Sequence, residues 1–190
     1  MRSFILTLCA VIALAAGHAA LAAEPDKSKQ TKLGKYLTAS EAHSIVTSDP
    51  TKTLFVDVRT RAEVQFIGMT ALVDGQIPYV EMNEFGEWDD KNGRFKLDAN
   101  PAFTVAVDKL LTAKGLTKTD RIIVMCRSGE RSARAVNTLA DAGFPNVWSQ
   151  VDGFEGDLSK DGRRDVNGWK NAGLPWSYKL DKSKVYLPSR

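Results

Sequence analysis

Apolar runs alternate with amphipathic stretches over most of this chain. Apolar runs at residues 54–58, 77–80, 122–125 and 147–149 predict strands, and Pro78 in the second run favours a sheet edge. Helical spacing follows a capping box at Thr38 and Glu41, begins again at Asn100-Pro101 and extends to Lys114, and occurs at residues 132–142. Strands that alternate with helices predict a mainly parallel sheet with helices on both faces, an α/β fold.

The third predicted strand ends at Cys126, and the third predicted helix follows after a loop of small and charged residues. Backbone N–H groups at such a loop form an anion cradle, so we expect the sulfur of Cys126 at its floor. The helix N-terminus, Arg127 and Arg131 favour the thiolate, and Gly129 permits a backbone conformation that a Cβ would hinder. The alternative is an inert core cysteine, the commoner position of a free thiol.

Residues 1–22 have the pattern of a secretory signal peptide, with Arg2, a short apolar run and small residues before cleavage after Ala22 or Ala23. The apolar run is too short to span a bilayer as a stable helix. We therefore expect a periplasmic or secreted protein without a membrane span after signal removal. A retained membrane anchor is the alternative.

Cysteine and histidine are scarce, with two of each in the whole chain. Loss of the leader removes Cys9 and His18, so the mature chain would contain no intramolecular disulfide and no metal site made of several cysteines. His43 lies in an early helix, and nothing in the sequence places it beside Cys126. An exported protein with a single thiol either buries that thiol or uses it.

The charge is close to balanced, with 26 Lys and Arg against 23 Asp and Glu, a formal net charge of +3. No basic surface interleaved with aromatic residues is evident, so no nucleic-acid partner is predicted. The length suits one domain at residues 36–178. It is flanked by a Lys-rich linker at 23–35 and a C-terminal tail at 179–190, both expected to be solvated.

Residues 82–99 are the least regular part of the predicted domain and contain Phe85, Trp88 and Phe95 among acids and glycines. The composition indicates a long structured loop or a small hairpin. Such segments in compact domains are often functional, and a cover over a sheet edge is the alternative.

Five motifs, in this order, resemble the rhodanese family of thiosulfate and related sulfurtransferases. They are Asp57-Val58-Arg59 followed by Glu63, and residues 75–78, 126–132, 152–154 and 167–175. The resemblance covers residues 36–178. It implies a rhodanese-like sheet, with the active-site loop between a central strand and a helix N-terminus.

The resemblance also implies roles for individual residues. Cys126 matches the nucleophile that carries sulfur, and Arg131 matches the basic residue that ends the loop. The residues implied to cradle the persulfide are Arg127, Ser128, Gly129, Glu130 and Ser132. Asp57, Arg59 and Glu63 match a supporting charge network, for which a salt-bridged scaffold is favoured over direct catalysis.

One motif departs from the family pattern. The family usually has Gly-His-Ile-Pro-Gly-Ala in the second motif, whereas Gln76 replaces the histidine here and Tyr79-Val80 replace Gly-Ala. These changes bear on the substrate and the partner more than on the chemistry of the cysteine loop.

The implied reaction is sulfur transfer from thiosulfate or a related donor to a thiol or other thiophilic acceptor, through a persulfide on Cys126, without a metal or organic cofactor. The alternative is a periplasmic persulfide carrier or binding module that docks a partner protein near residues 82–99. A cysteine-dependent phosphatase or arsenate reductase is less favoured. Four residues separate Cys126 from Arg131, whereas the related phosphatase loops enclose five and so admit a phosphate.

Overall fold

A computed structural model describes residues 24–82 and 85–187. The predicted signal peptide and its cleavage site lie outside the described residues. No helix within these two ranges combines the length and apolar character that crossing a bilayer requires.

Nine strands, four α-helices and two short 3-10 helices are formed by the described residues. The strands are β1 Tyr36–Leu37, β2 Thr53–Asp57, β3 Gly75–Gln76, β4 Val80–Glu81, β5 Trp88–Asp89, β6 Arg94–Phe95, β7 Asp98–Ala99, β8 Arg121–Met125 and β9 Val147–Gln150. The helices are α1 Ala39–Ser48, α2 Arg61–Ile67, α3 Phe103–Ala113 and α4 Glu130–Asp141.

A five-stranded sheet in the order β1-β9-β8-β2-β3 forms the centre of the fold, and all its neighbouring strands pair in parallel. The β8 strand is central, and α4 begins five residues after it ends. Parallel strands end at the same edge of a sheet, so the loops that follow β2 and β8 meet there. The predicted parallel sheet, with its loop between a central strand and a helix, is confirmed.

Alternate residues of the buried strands β2 and β8 contribute to two separate cores. Leu54 and Ile122 belong to a cluster with residues of α3 and α4, whereas Phe55 and Ile123 belong to a cluster with residues of α1 and α2. Successive side chains of a strand point to opposite faces, which explains this division. The predicted placement of helices on both faces is therefore confirmed.

The α2 helix was not predicted, because the sequence indicated only a turn toward residues 63–67. A capping box starts the helix: the Thr60 hydroxyl accepts from the Glu63 N–H, and the Glu63 carboxylate accepts from the Thr60 N–H. The helix has seven residues, and Val64 is its buried residue. So short an apolar face gives little helical periodicity to recognise.

Two further boundaries differ from the prediction. The strand predicted at residues 77–80 is wrong: β3 ends at Gln76, and Val80 instead pairs antiparallel with Ala99 in β4–β7. The predicted start of α3 at Asn100-Pro101 is also early. The Asn100 side chain binds the N–H of Ala102 and the carbonyl of Pro78, so it fixes the turn before the helix.

The irregular segment contains the small hairpin that the sequence allowed. Trp88 and Asp89 of β5 pair antiparallel with Phe95 and Arg94 of β6. The β4–β7 pair at the base of this hairpin returns the chain to α3. The described residues of the segment 82–99 are thus an ordered part of the domain.

Both flanking segments contact the domain through individual side chains, although more than half of their described residues are exposed. Lys29 is 7% exposed, and its Nζ lies 2.7 Å from the Asp157 carboxylate. At the other end, the Nζ of Lys184 binds the carbonyls of Ala71 and Val73. Lys29 and Lys184 thus contact the protein, whereas Lys27, Lys179 and Lys182 are exposed.

Candidate active site

Cys126 directly follows β8 and lies in the loop that leads to α4. Its Sγ accepts a hydrogen bond from the backbone N–H of Gly129 at 3.1 Å. Its carbonyl accepts from the N–H of Phe154 at 2.7 Å. This N–H stabilises negative charge on the sulfur, and it is one contact of the anion cradle that the sequence predicts.

The sulfur lies at the floor of a cavity of about 610 Å³. Cys126 is only 1% exposed, yet it lines this cavity. The predicted loop residues that also line it are Arg127, Ser128, Glu130 and Arg131. A ligand can therefore reach the thiol only by entering the cavity.

Gly129 and Ser132 do not line the cavity, but Gly129 has the backbone contact with the sulfur that the resemblance implies for the cradle. Gly129 contributes its N–H to the sulfur and initiates α4. Ser132 is fully buried, and its hydroxyl has no hydrogen-bond partner within residues 24–82 and 85–187. Ser132 does not line the cavity, so the structure gives no support to its predicted role in substrate binding.

The conformation of the cysteine loop depends on close backbone packing against the loop that follows β9. Gly129 has φ +99°, and a Cβ there would lie 2.1 Å from the carbonyl oxygen of Val151. Gly153 has φ +70°, and a Cβ there would lie 2.2 Å from the carbonyl carbon of Arg127. Glycine is required at both positions because a side chain fits neither the space nor the backbone angles.

Glu63 and Arg131 form a two-bonded ion pair at the wall of the cavity. Arg131 donates from Nη1 and Nη2 to the two carboxylate oxygens of Glu63 at 2.6 and 2.5 Å. Burial alone would raise the pKa of Glu63, but the hydrogen bonds and charge of Arg131 lower that pKa to about 2. Arg127 is a weaker neighbour, with its Nε 3.9 Å from Glu63.

The charge network implied by the family resemblance is divided into two parts. Asp57 and Arg59 are fully buried and bind each other through the Arg59 Nε and Nη2, whose closest contact is 2.6 Å. The Arg59 guanidinium also lies 3.8 Å from the ring centroid of Phe154. Neither Asp57 nor Arg59 lines the cavity, whereas Glu63 does. The buried pair supports the floor of the site from below.

Gln76, the residue that replaces the family's histidine, is also buried away from the cavity. Its Nε2 donates to the carbonyl of Arg59 at 2.7 Å, and its Oε1 accepts from the N–H of Tyr186 at 3.2 Å. Gln76 therefore connects the C-terminal segment to the loop after β2. This departure from the family pattern affects the fold more than the cavity.

The cavity contains functional candidates that the sequence did not single out. Arg134 of α4, Arg164 of the C-terminal region, and Arg94 and Phe95 of β6 all line it. Arg134 could have been recognised, since a residue three positions after Arg131 lies on nearly the same helix face. The others are distant in sequence, and only the fold brings them to Cys126.

A second cavity, of about 780 Å³, lies between the N-terminal segment and the loop after β9. Its lining includes Lys29, Asp152 and Asp157 but no cysteine or histidine. Burial raises the pKa of Asp152. This cavity contains no nucleophilic thiol comparable with Cys126.

Residues 38–160 match the rhodanese-like domain family. An uncharacterised protein of Rickettsia conorii is 30% identical over 145 residues, which cover 75% of this chain and 96% of the relative. An uncharacterised protein of Rickettsia prowazekii is 33% identical over 125 residues, which cover 65% of this chain and 81% of the relative. The crystal structure of Rv0390 from M. tuberculosis is similar with a TM-score of 0.57 and 26% identity, over 76% of this chain and 97% of that one. The chain belongs to the rhodanese-like domain family.

Proposed function

We propose that the protein is a sulfurtransferase that moves a sulfane sulfur from thiosulfate or a related donor to a thiophilic acceptor through a persulfide on Cys126. The observation that carries this proposal is the hydrogen bond from the Gly129 N–H to the Cys126 sulfur at the floor of a cavity. A thiolate held in this way can attack a donor and then retain the added sulfur near the helix N-terminus.

In the first step the thiolate of Cys126 attacks the outer sulfur of thiosulfate. The sulfur–sulfur bond of the donor breaks, its electron pair leaves with sulfite, and a persulfide remains on the enzyme. In the second step a thiol acceptor, as its thiolate, attacks the outer persulfide sulfur, and the Cys126 thiolate is regenerated. In each step one sulfur–sulfur bond breaks while another forms, so no external oxidant is required.

Arg131 contributes to these steps through its charge and through the position of the loop. Both of its terminal nitrogens are bound to Glu63, and although burial alone would lower the Arg131 pKa, the hydrogen bonds and charge of Glu63 raise it. The pairing of Arg131 with Glu63 also disfavours a phosphatase, in which the loop arginine would bind a tetrahedral oxyanion. The four residues between Cys126 and Arg131 agree with a ring built for one sulfur atom.

The acceptor in this proposal is a small thiol or a slender chain end. Cys126 is 1% exposed at the cavity floor, so a thiol on the surface of a folded protein would meet the walls first. The hairpin nevertheless exposes Trp88 and Phe95, at 52% and 51%, which favours partner docking as a second candidate function. Turnover with thiosulfate and a small thiol supports the enzyme, and persulfide loading that stalls until a partner protein is added supports the carrier.

Intact-mass measurement before and after exposure to thiosulfate tests the proposed chemistry. We expect the protein to gain one sulfur atom and Cys126→Ser to gain none, because the serine hydroxyl is a far weaker nucleophile at neutral pH. Circular dichroism checks that the variant keeps the fold. An equal gain in Cys126→Ser, or no gain in the unaltered protein, would eliminate the persulfide mechanism.

Export from the cytoplasm is a separate part of the proposal and is supported by the sequence pattern of residues 1–22. N-terminal sequencing of the protein from a periplasmic fraction would test it. A mature N-terminus near Ala23 or Glu24 supports export, and an intact Met1 in the cytoplasmic fraction contradicts it.

A further inference from the structure

The hairpin β5–β6 and the strand after it form one wall of the Cys126 cavity. Arg94 and Phe95 of β6 line the same cavity as Cys126 and the start of α4. The cavity volume of about 610 Å³ lies within the range of roughly 300–1,000 Å³ that is usual for pockets that bind organic ligands. Thiosulfate has only a handful of heavy atoms and would leave most of this space empty.

The wall is a well-connected structural element. The rings of Trp88 and Phe95 pack edge to face across the hairpin, with centroids 5.4 Å apart. The N–H of Lys96 binds the carbonyl of Glu87 at 2.7 Å, and their side chains form an ion pair. These contacts join the two strands of the hairpin.

The charges around the cavity favour an anion. Lys96 is paired with Glu87, and Arg131 is paired with Glu63. In the described part of the chain, neither Arg94 nor Arg134 has a carboxylate within the 4.0 Å of a salt bridge.

Three carboxylates also line this cavity, and they are Asp89, Asp98 and Glu130. Asp89 is held by the backbone and side chain of Asn92, at 3.2 and 2.6 Å. Arg94 lies opposite Asp89 in the hairpin but forms no ion pair with it, so Arg94 and the α4 residue Arg134 can both bind a ligand carboxylate or sulfonate.

We propose that the preferred sulfur donor is an organic sulfane compound with an anionic tail, and that Phe95 and Arg94 select it. This inference rests on the proposed sulfur transfer. The tail packs on Phe95, and its carboxylate or sulfonate binds Arg94 with support from Arg134. The sulfane sulfur is then placed at Cys126, which lies at the cavity floor.

The chemical step with such a donor is the same exchange. For a thiosulfonate, the Cys126 thiolate attacks the outer sulfur, the sulfur–sulfur bond breaks, and the electron pair leaves with the sulfinate. The persulfide forms on Cys126 without any oxidant or reductant. The tail does not take part in bond making, so it contributes through binding and orientation alone.

Benzenethiosulfonate and its 4-carboxy derivative are suitable probes because they differ by one distal carboxylate. The readout is the ratio of their kcat/KM values, in which any general loss of activity in a variant cancels. We expect the purified protein to prefer the carboxylated donor by about tenfold, as one charge-assisted hydrogen bond would give. Arg94→Gln should reduce this ratio to near one, and Arg134→Gln should reduce it partly.

Lys91→Gln is the matched control, since Lys91 is an exposed cation of the same hairpin that does not line the cavity. It should retain the full ratio. Phe95→Ala should lower kcat/KM for both aromatic donors relative to thiosulfate.

The two proposals can fail separately in this experiment. Persulfide formation from thiosulfate with a ratio near one in the unaltered protein would overturn the anionic-tail inference and leave sulfur transfer standing. An equal fall of the kcat/KM ratio in Lys91→Gln and Arg94→Gln would also overturn it, because the general positive charge of the hairpin would then explain the preference. Absence of any persulfide with all three donors would overturn sulfur transfer itself.

Discussion

Glu63 and Arg131 are 68 positions apart in the sequence, and their side chains form a two-bonded ion pair with contacts of 2.6 and 2.5 Å. Glu63 lies in the first turn of α2, and Arg131 lies in the first turn of α4. The pair therefore joins the loop after β2 to the loop that contains Cys126. Only 15% and 12% of the two side chains are exposed, so the pair is shielded from solvent.

Glu63→Gln should destabilise the protein and slow persulfide formation. The substitution leaves the Arg131 charge in a largely buried site with a neutral partner, and removal of one member of a buried pair costs about 3–5 kcal/mol. Because some solvent reaches Glu63, we expect the free energy of unfolding, measured with urea, to fall by about 2–3 kcal/mol. Glu87→Gln breaks an exposed pair with Lys96 and serves as the control, with no measurable change expected. Equal stability of both variants would show that the Glu63–Arg131 pair does not hold the loop.

The same pair should make stability depend on acid pH. The pKa of Glu63 falls from its usual 4.5 to about 2 in the folded protein, so the folded state favours the ionised form. The resulting stability is fully present above pH 4.5 and is lost as the pH falls through about 2. The difference between these two pKa values corresponds to a stabilisation of the folded state on the order of 3 kcal/mol. Urea unfolding at a series of pH values should show this difference between the protein and Glu63→Gln, and parallel acid profiles would contradict it.

The position of the cysteine loop between a strand and a helix could be predicted because its parts are contiguous. Cys126, Arg127, Gly129 and Arg131 are placed by one strand end and one helix start, so spacing alone indicates the cradle. The partner of Arg131 could not be predicted without the sheet order, since the approach of Glu63 depends on the pairing of β2 with β8. The family resemblance implied one charge network of Asp57, Arg59 and Glu63. In the structure Asp57 pairs with Arg59, and Glu63 pairs with Arg131.

The fold was predictable where burial is strong and local. The five residues of β2 and four of the five in β8 are buried, and each strand follows a recognisable apolar run. The short helix α2 and the two-residue strands contain too few residues for periodicity to show. The approach of the hairpin to Cys126 is a tertiary property, which explains why Arg94 and Phe95 were missed as cavity residues.

The buried pair of Asp57 and Arg59 should behave as scaffold. Asp57→Asn leaves a fully buried guanidinium without its counter-charge, for which we expect a loss of about 3–5 kcal/mol in urea unfolding. The double variant Asp57→Asn, Arg59→Met should lose less than the sum of the two single changes, because no buried charge remains. Strict additivity in this cycle would show that the two side chains do not depend on each other.

Gly129→Ala should disrupt the cysteine loop. The backbone of Gly129 has φ +99°, and the new Cβ would lie 2.1 Å from the carbonyl oxygen of Val151 and 2.9 Å from its carbonyl carbon. Both of these atoms belong to the backbone, so a side-chain shift cannot relieve the clash. The loop must therefore move, and the hydrogen bond from the N–H of residue 129 to the Cys126 sulfur should be lost.

Gly93→Ala separates this steric effect from the general penalty of an L-residue at positive φ. Gly93 has φ +58°, and a Cβ there meets nothing within 4 Å. The free energy of unfolding of Gly93→Ala should therefore fall by only about 1–2 kcal/mol. We expect Gly129→Ala to lower stability by more than Gly93→Ala and to abolish persulfide loading in intact-mass measurement, whereas Gly93→Ala should still load. Normal loading in Gly129→Ala would mean that the Gly129 N–H is not needed to hold the sulfur, and the cradle would then have to be sought in other parts of the loop.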